Sequence, residues 1–333
     1  MKLRIDGFVL ALFGTLVLAW LMPAVGSQLS AWQVNKAGVT LIFFLHGLAL
    51  PAEALREGTR QVKLHAVVQA STFLLFPLLG WLASLALPEA QRAGILFLSA
   101  LPSTVSSSVA LTAVARGNVA AAIFNASLSS LLGVVLTPLW MQLLLGASGA
   151  SLPLGKVVLD LTLFLLLPFA VGQALRRVDR LRQLAARHKA VIAKIDRGSI
   201  LLLVYTSFCD SINGGVWQRH GLTAALVAFT VAFVLLCVVL TLTASAANAV
   251  GFARAERITA VFCGSKKTLA AGVPMAQLIF GAGPFAGLVI LPLLAYHTLQ
   301  LVVCSSLAAR WAGGSSFLIG GADDAERERP LPA

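Results

Sequence analysis

Residues 261–276 read VFCGSKKTLAAGVPMA, with two adjacent lysines, Lys266 and Lys267, among Ala, Val, Leu and Phe. An ammonium at the centre of a bilayer costs roughly 2.5–3.5 kcal/mol on insertion scales. Two readings suit such a pair. A lysine there can bind the anionic group of a solute. The plain alternative is that one lysine snorkels to water and the other contacts a carbonyl.

A second polar stretch, LPSTVSSSVALTAVARGN, has Pro102 near its start and offers Ser106, Ser107 and Ser108. With Ser265 and Gln277, these side chains form a set of hydroxyl and amide groups suited to lining a binding site. Gln69, Asp210, His297 and Gln300 are candidates for a cavity lining or a relay. Asp210, in YTSFCDSINGG, lines an outward entry or is a solvated helix end. His297 and Gln300 stand one turn apart, and a lone intramembrane histidine is more often a packing residue than a proton relay. Ser265 beside Lys266 has the residue types of a Ser-Lys dyad, but adjacent helical residues point about 100° apart. HExxH, GxSxG and a P-loop do not occur, which argues against an enzyme and against ATP-driven transport. The four cysteines show no CxxC or Cys/His metal spacing.

The elements that carry these residues follow from composition. The 333 residues are 58% hydrophobic and 11% charged. Soluble domains are near 25% charged, so the chain reads as an all-α polytopic membrane protein. Its net charge of +12 lies in loops between apolar runs, as at a cytoplasmic membrane face, which does not call for nucleic acid. A crossing helix needs about 20 apolar residues. Eight runs qualify, near 7–24, 33–50, 64–87, 119–145, 154–175, 198–214, 221–250 and 285–311, and the polar-interrupted segments 90–116 and 255–281 bring the count to ten. The first run follows a basic start, like a signal peptide, and is read as a retained helix. With both termini cytoplasmic, only Lys36, Arg92, Lys156 and Arg219 fall in outer segments, and most of the 25 lysines and arginines fall inside. In the 6–7 loop, Leu181, Leu184, Val191 and Ile195 at helical spacing between basic residues suggest an interfacial helix on anionic lipid, or an ordinary basic loop.

Ten spans divide into five and five, residues 1–150 and 151–312, followed by a polar tail, 313–333, expected to be disordered. An odd number per half inverts the second half in the membrane, as in inverted-repeat transporters. Helices four and nine carry matching breaks. Unwound backbone at membrane depth is tolerated only inside protein or along a watery cavity, so two facing breaks predict a binding site at the midplane, where Ser/Gly/Pro could otherwise merely allow close packing.

The stretches FFLHGLAL (43–50), LPSTVSSSVALTAVARGNVAAAIFNASLSSLLGVVLTP (101–138), FCGSKKTLAAGVPMA (262–276) and LPLLAYHTLQLVVCSSLAARWA (291–312) resemble the bile acid:sodium symporter superfamily. They are most similar to its bacterial branch related to solute carrier family 10 member 7. The resemblance implies ten helices in inverted five-helix repeats, with broken helices four and nine crossing in a core of spans 3–5 and 8–10. A panel of the remaining spans would move against that core by alternating access. It also implies ion ligands in spans four, five and nine. The family's Ser-Asn pair falls on Ser107 and Ser108, so the asparagine is replaced. The span-five ligands fall near Asn125, Ser129 and Ser130. Cys263 to Lys267 contains no acid where sodium-coupled members carry glutamate, so the resemblance implies that the ammonium of Lys266 or Lys267 takes the position a sodium ion fills in coupled relatives, donating to hydroxyls and carbonyls.

The expected function is a secondary transporter of a small, anionic organic solute in a bacterial inner membrane, coupled to sodium or protons. No cofactor beyond the coupling ion is expected. An ammonium stripped of water gives up its proton more readily, so either lysine could link transport to pH. Expected partners are the solute and membrane lipid, with monomer and homodimer both open. The alternative is a regulatory membrane protein that affects calcium homeostasis through partner binding.

Overall fold

The computed structural model describes residues 7–49, 61–146, 159–281, 285–315 and 317–319. Every regular element among them is helical. The first three helices are α1 (Gly7–Leu21), α2 (Pro23–Ala31) and α3 (Val34–Ala49). Helix α4 (Val62–Leu85) contains a π turn at Ser71–Leu75. The first interrupted segment is α5 (Glu89–Ala100) and α6 (Ser106–Val114), and α7 (Val119–Gly146) follows. Helix α8 (Leu159–Arg176) has its π turn at Thr162–Leu166. Then come α9 (Asp179–Arg187), α10 (Lys189–Asn213) and α11 (Val216–Ala249). The second interrupted segment is α12 (Arg254–Gly264) and α13 (Leu269–Phe280), and α14 (Ala286–Ala312) follows.

Among the described residues, α4, α7, α8, α11 and α14 are each long and apolar enough to cross a bilayer, and α1 with α2 makes a sixth if counted together. The interrupted segments miss that count because each half is short. The central helix is α14: 72% of its apolar window is buried, against 33% for α11. The outer face of α11 shows Leu222, Leu226, Phe233 and Val234, the surface a lipid-facing helix requires.

Three features depart from the sequence reading. The first apolar run is not straight, because the chain turns by 96° between α1 and α2. Pro23 has no N–H to continue the ladder and disfavours helix at Met22, so the expected outer loop becomes α2. In the basic 6–7 segment, Leu181 and Leu184 lie on α9, whereas Val191 and Ile195 lie on α10, which runs unbroken to Asn213. The third is the tail, whose start is docked. Arg254 donates to Trp311 O (2.8 Å), Arg257 to Ile319 O (2.7 Å) and Trp311 Nε1 to Phe317 O (2.8 Å). Residues 313–315 and 317–319 thus lie against α12 and α14, and 316 and 320–333 lie outside the described residues.

Helices α3 and α8 pack at contact distance through Gly47 and Gly172. A Cβ on Gly47 would meet the Phe169 carbonyl, and one on Gly172 would meet the Phe44 carbonyl. The two halves of the chain interleave: α5 packs on α4, α7 and α14, and α12 packs on α4, α7 and α11.

Candidate functional site: a buried crossing of two unwound segments

The two breaks meet each other. Pro102 sits in an extended stretch after α5, and residues 265–268 are unwound between α12 and α13. Thr268 N–H donates to Pro102 O at 3.0 Å. Ser103 Oγ donates to Cys263 O at 2.5 Å and Ser108 Oγ to Phe262 O at 3.1 Å, which satisfies carbonyls at the end of α12. The Ser103 N–H donates to Ser129 Oγ of α7 at 2.9 Å. Tyr296 of α14 donates its hydroxyl hydrogen to Ser265 O at 2.5 Å. Ser103, Ser108, Ser129, Ser265 and Tyr296 are all buried. Unwound backbone survives there because several freed groups find partners in the other break or in a neighbouring helix.

Lys266 and Lys267 are both fully buried and point to different surroundings. Lys267 Nζ donates to three main-chain carbonyls: Leu101 at 2.6 Å, Ser99 at 2.7 Å and Thr72 at 2.9 Å. It also stands 4.1 Å from the centroid of the Phe76 ring. Gln300 holds the Lys267 main chain from both sides, accepting from its N–H and donating to its carbonyl, each at 2.9 Å. Lys266 Nζ has no hydrogen-bond partner among the described residues and lies 5.6 Å from the Phe262 ring centroid. Neither break contains a carboxylate, since no Asp or Glu occurs from 90 to 159 or from 258 to 322.

The remaining candidates divide. Ser107 Oγ donates to Thr104 Oγ1, which shares a 2.7 Å hydrogen bond with Ser108 Oγ, so Ser107 and Ser108 belong to the crossing. Asn125 lies behind it, its amide on Ala121 O and its oxygen accepting from Gln69 Nε2. Ser106 is exposed, and Ser130 turns its hydroxyl to Ala126 O of its own helix; the crossing does not gather these two. His297 Nδ1 is 3.1 Å from Gln300 Nε2, and its ring packs edge-on to Phe8. That contact places His297 beside the Lys267 clamp.

Gln277 and Asp210 belong to a second polar cluster. Asn35 of α3 donates to Gln277 Oε1 (3.2 Å) and to Ser30 Oγ of α2 (3.2 Å), and accepts from Thr206 Oγ1 of α10 (2.7 Å). Gln277 Nε2 donates to Ser207 Oγ. Ser30 Oγ donates to the half-buried Asp210 carboxylate at 2.8 Å. The chain thus joins α2, α3 and α10 to α13 across a mostly buried seam.

A family model of the SBF-like CPA transporters matches residues 6–313. The chain belongs to the SBF-like CPA transporter family. The match agrees with the resemblance carried by the sequence motifs, and with the apolar helices it makes this a multi-pass membrane protein of a transporter family. The chain is similar to the Pseudomonas aeruginosa protein PA2026, 45% identical over 313 residues, covering 92% of this chain and 93% of that one. It is 40% identical over 315 residues to the Escherichia coli protein named "Putative symporter YfeH", covering 92% and 93%. It is 32% identical over 316 residues to "Sodium/bile acid cotransporter 7-B" of Xenopus laevis, covering 92% and 91%.

Several polar partners in this SBF-like transporter were not singled out from the sequence: Ser30, Asn35, Ser103, Thr104, Thr206, Ser207 and Tyr296. A faint signal exists for Asn35, an amide at the start of an apolar run. Nothing local marks the carbonyls of Thr72, Ser99 and Leu101, because every residue has one.

Proposed function

We propose that this chain is a secondary transporter that moves a small, anionic organic solute by alternating access, coupled to sodium or protons. The observation that carries the reading is the buried crossing of two unwound segments holding two lysines. A purely structural bundle has no need for two ammonium groups at depth, where each is costly to place. In this reading the described helices make ten crossings in two inverted five-helix repeats, both termini face the cytoplasm, and the membrane is a bacterial inner membrane. The seam lined by Asn35, Thr206, Ser207 and Gln277 is where a panel of α1–α3 and α8–α10 parts from the core to admit solute. Hydroxyl and amide groups there can donate to a carboxylate or sulfonate. The Lys266 ammonium has no hydrogen-bond partner among the described residues, and its charge favours an anionic solute over a cationic one.

Sodium coupling is supported by the printed names of the cotransporter relatives. Proton coupling is supported by the missing carboxylates in both breaks, since a sodium site without an anionic ligand is weak. The deciding experiment is uptake by proteoliposomes against a panel of organic anions, with sodium and pH gradients imposed separately. Saturable uptake driven by one gradient is the expected result. Absence of flux for every solute, together with tight capture of another membrane protein, would replace this reading with the regulatory one.

A further inference from the structure

We propose that the carbonyl oxygens of Thr72, Ser99 and Leu101, with the face of Phe76, form a monovalent-cation site whose occupant is tethered: the ammonium of Lys267. The site is built from carbonyls that the local backbone sets free. In an α-helix the carbonyl of Thr72 would accept from the N–H of Phe76. In the π turn that N–H goes to Ser71 O instead. The next residue, Pro77, has no N–H to offer. The carbonyl of Ser99 would accept from Ser103, but that N–H is committed to Ser129 Oγ at 2.9 Å. Leu101 lies past the end of α5 in an extended conformation, with ψ 153°. Three carbonyl dipoles, two of them at the negative end of a helix, therefore converge without their usual helical donors.

The Lys267 ammonium has three N–H donors and no acceptor, and it gives one to each carbonyl, at 2.6, 2.7 and 2.9 Å. The Phe76 ring at 4.1 Å adds a cation–π contact. Rings of main-chain carbonyls replace the hydration shell of an alkali ion in the same manner. No carboxylate takes part, so the charge is met by dipoles alone. Gln300 fixes the tether at its root. The site is thus loaded permanently, and deleting the tether leaves a cation-binding hole. Solute identity plays no part in this inference. Its test reads binding rather than flux, so it can fail while the transport reading stands, and the reverse.

The test uses the full chain purified in detergent, as wild type, Lys267→Ala and Lys267→Met. Thermal unfolding midpoints are followed while propylammonium, ammonium, potassium or sodium chloride replaces choline chloride at constant ionic strength. Propylammonium contains the atoms of the deleted stem. Lys267→Ala is expected to unfold earlier than wild type in choline and to regain a few degrees, saturably, with propylammonium or a smaller cation. Wild type and Lys267→Met, whose holes are filled, are expected not to respond. A monodisperse Lys267→Ala that responds no more than wild type to any of these cations overturns the proposal, as does an equal response from Lys267→Met. Should Lys267→Ala aggregate in choline, the monodisperse fraction extracted in propylammonium chloride becomes the readout; an equal fraction in both salts overturns it.

Discussion

Adjacent lysines of equal burial have opposite energetic standing here. Lys267 meets three acceptors, so replacing it by methionine leaves three buried carbonyls without a donor. Each unsatisfied group costs about 1–3 kcal/mol, and Lys267→Met is expected to lower the unfolding midpoint in detergent clearly. Lys266 Nζ has no hydrogen-bond partner among the described residues. Removing an uncompensated buried polar group for an apolar one of similar volume is neutral or stabilising, so Lys266→Met is expected to melt at or above wild type. If Lys266 serves the solute, the same variant loses uptake while keeping stability. A fall in stability for Lys266→Met would show that its ammonium is satisfied after all. Gln300→Leu removes the two hydrogen bonds that hold the Lys267 main chain and is expected to destabilise by about 1–3 kcal/mol, measured by the same melt.

At the level of elements, two seams make different demands. Helices α3 and α8 need the absence of side chains at Gly47 and Gly172. Gly172→Leu cannot be absorbed without separating the pair, and the expected result is loss of monodisperse protein on size exclusion, with Gly198→Leu at an open position as the tolerated control. The seam between α3 and α13 is polar, with Asn35 hydrogen-bonded to Gln277. A double-mutant cycle with Asn35→Ala and Gln277→Ala should return a coupling of about 0.5–3 kcal/mol in stability. Additive effects would mean the two do not share one network. The contacts break whenever α13 parts from α3, so under the alternating-access reading both variants should also change uptake.

Over the whole molecule, the arrangement of charge predicts sidedness. The basic segment around α9 is expected to face the cytoplasm. Ala186→Cys on its exposed face should react with a membrane-impermeant thiol reagent in inside-out vesicles and not in intact cells, with labelling of Cys237, the one exposed native cysteine among the described residues, measured in the parent chain. Labelling from outside would invert the topology. The fold's legibility varied with the range of the interaction. Apolar runs announced α4, α7, α8, α11 and α14, because hydropathy is a local property. Pro102 and the GSKK stretch announced the two breaks, because helix-breaking is also local. The 96° turn at Met22 was missed although Pro23 was in plain view, since apolar residues on both sides masked the break. Ser106 was grouped with Ser107 and Ser108 by adjacency, yet one residue of helical rotation takes it to the exposed face.

What the amino-acid sequence determined by itself was membrane residence, the interruption of two segments and the presence of charge within one of them. Those properties depend on residues within a turn or two of one another. Tertiary structure alone decided which lysine is satisfied, because its partners are main-chain carbonyls more than 160 residues away, freed by a π turn and a helix end. Main-chain acceptors are identical at every position, so only the folded arrangement can distinguish the three that meet Lys267 from those that pair within their own helices.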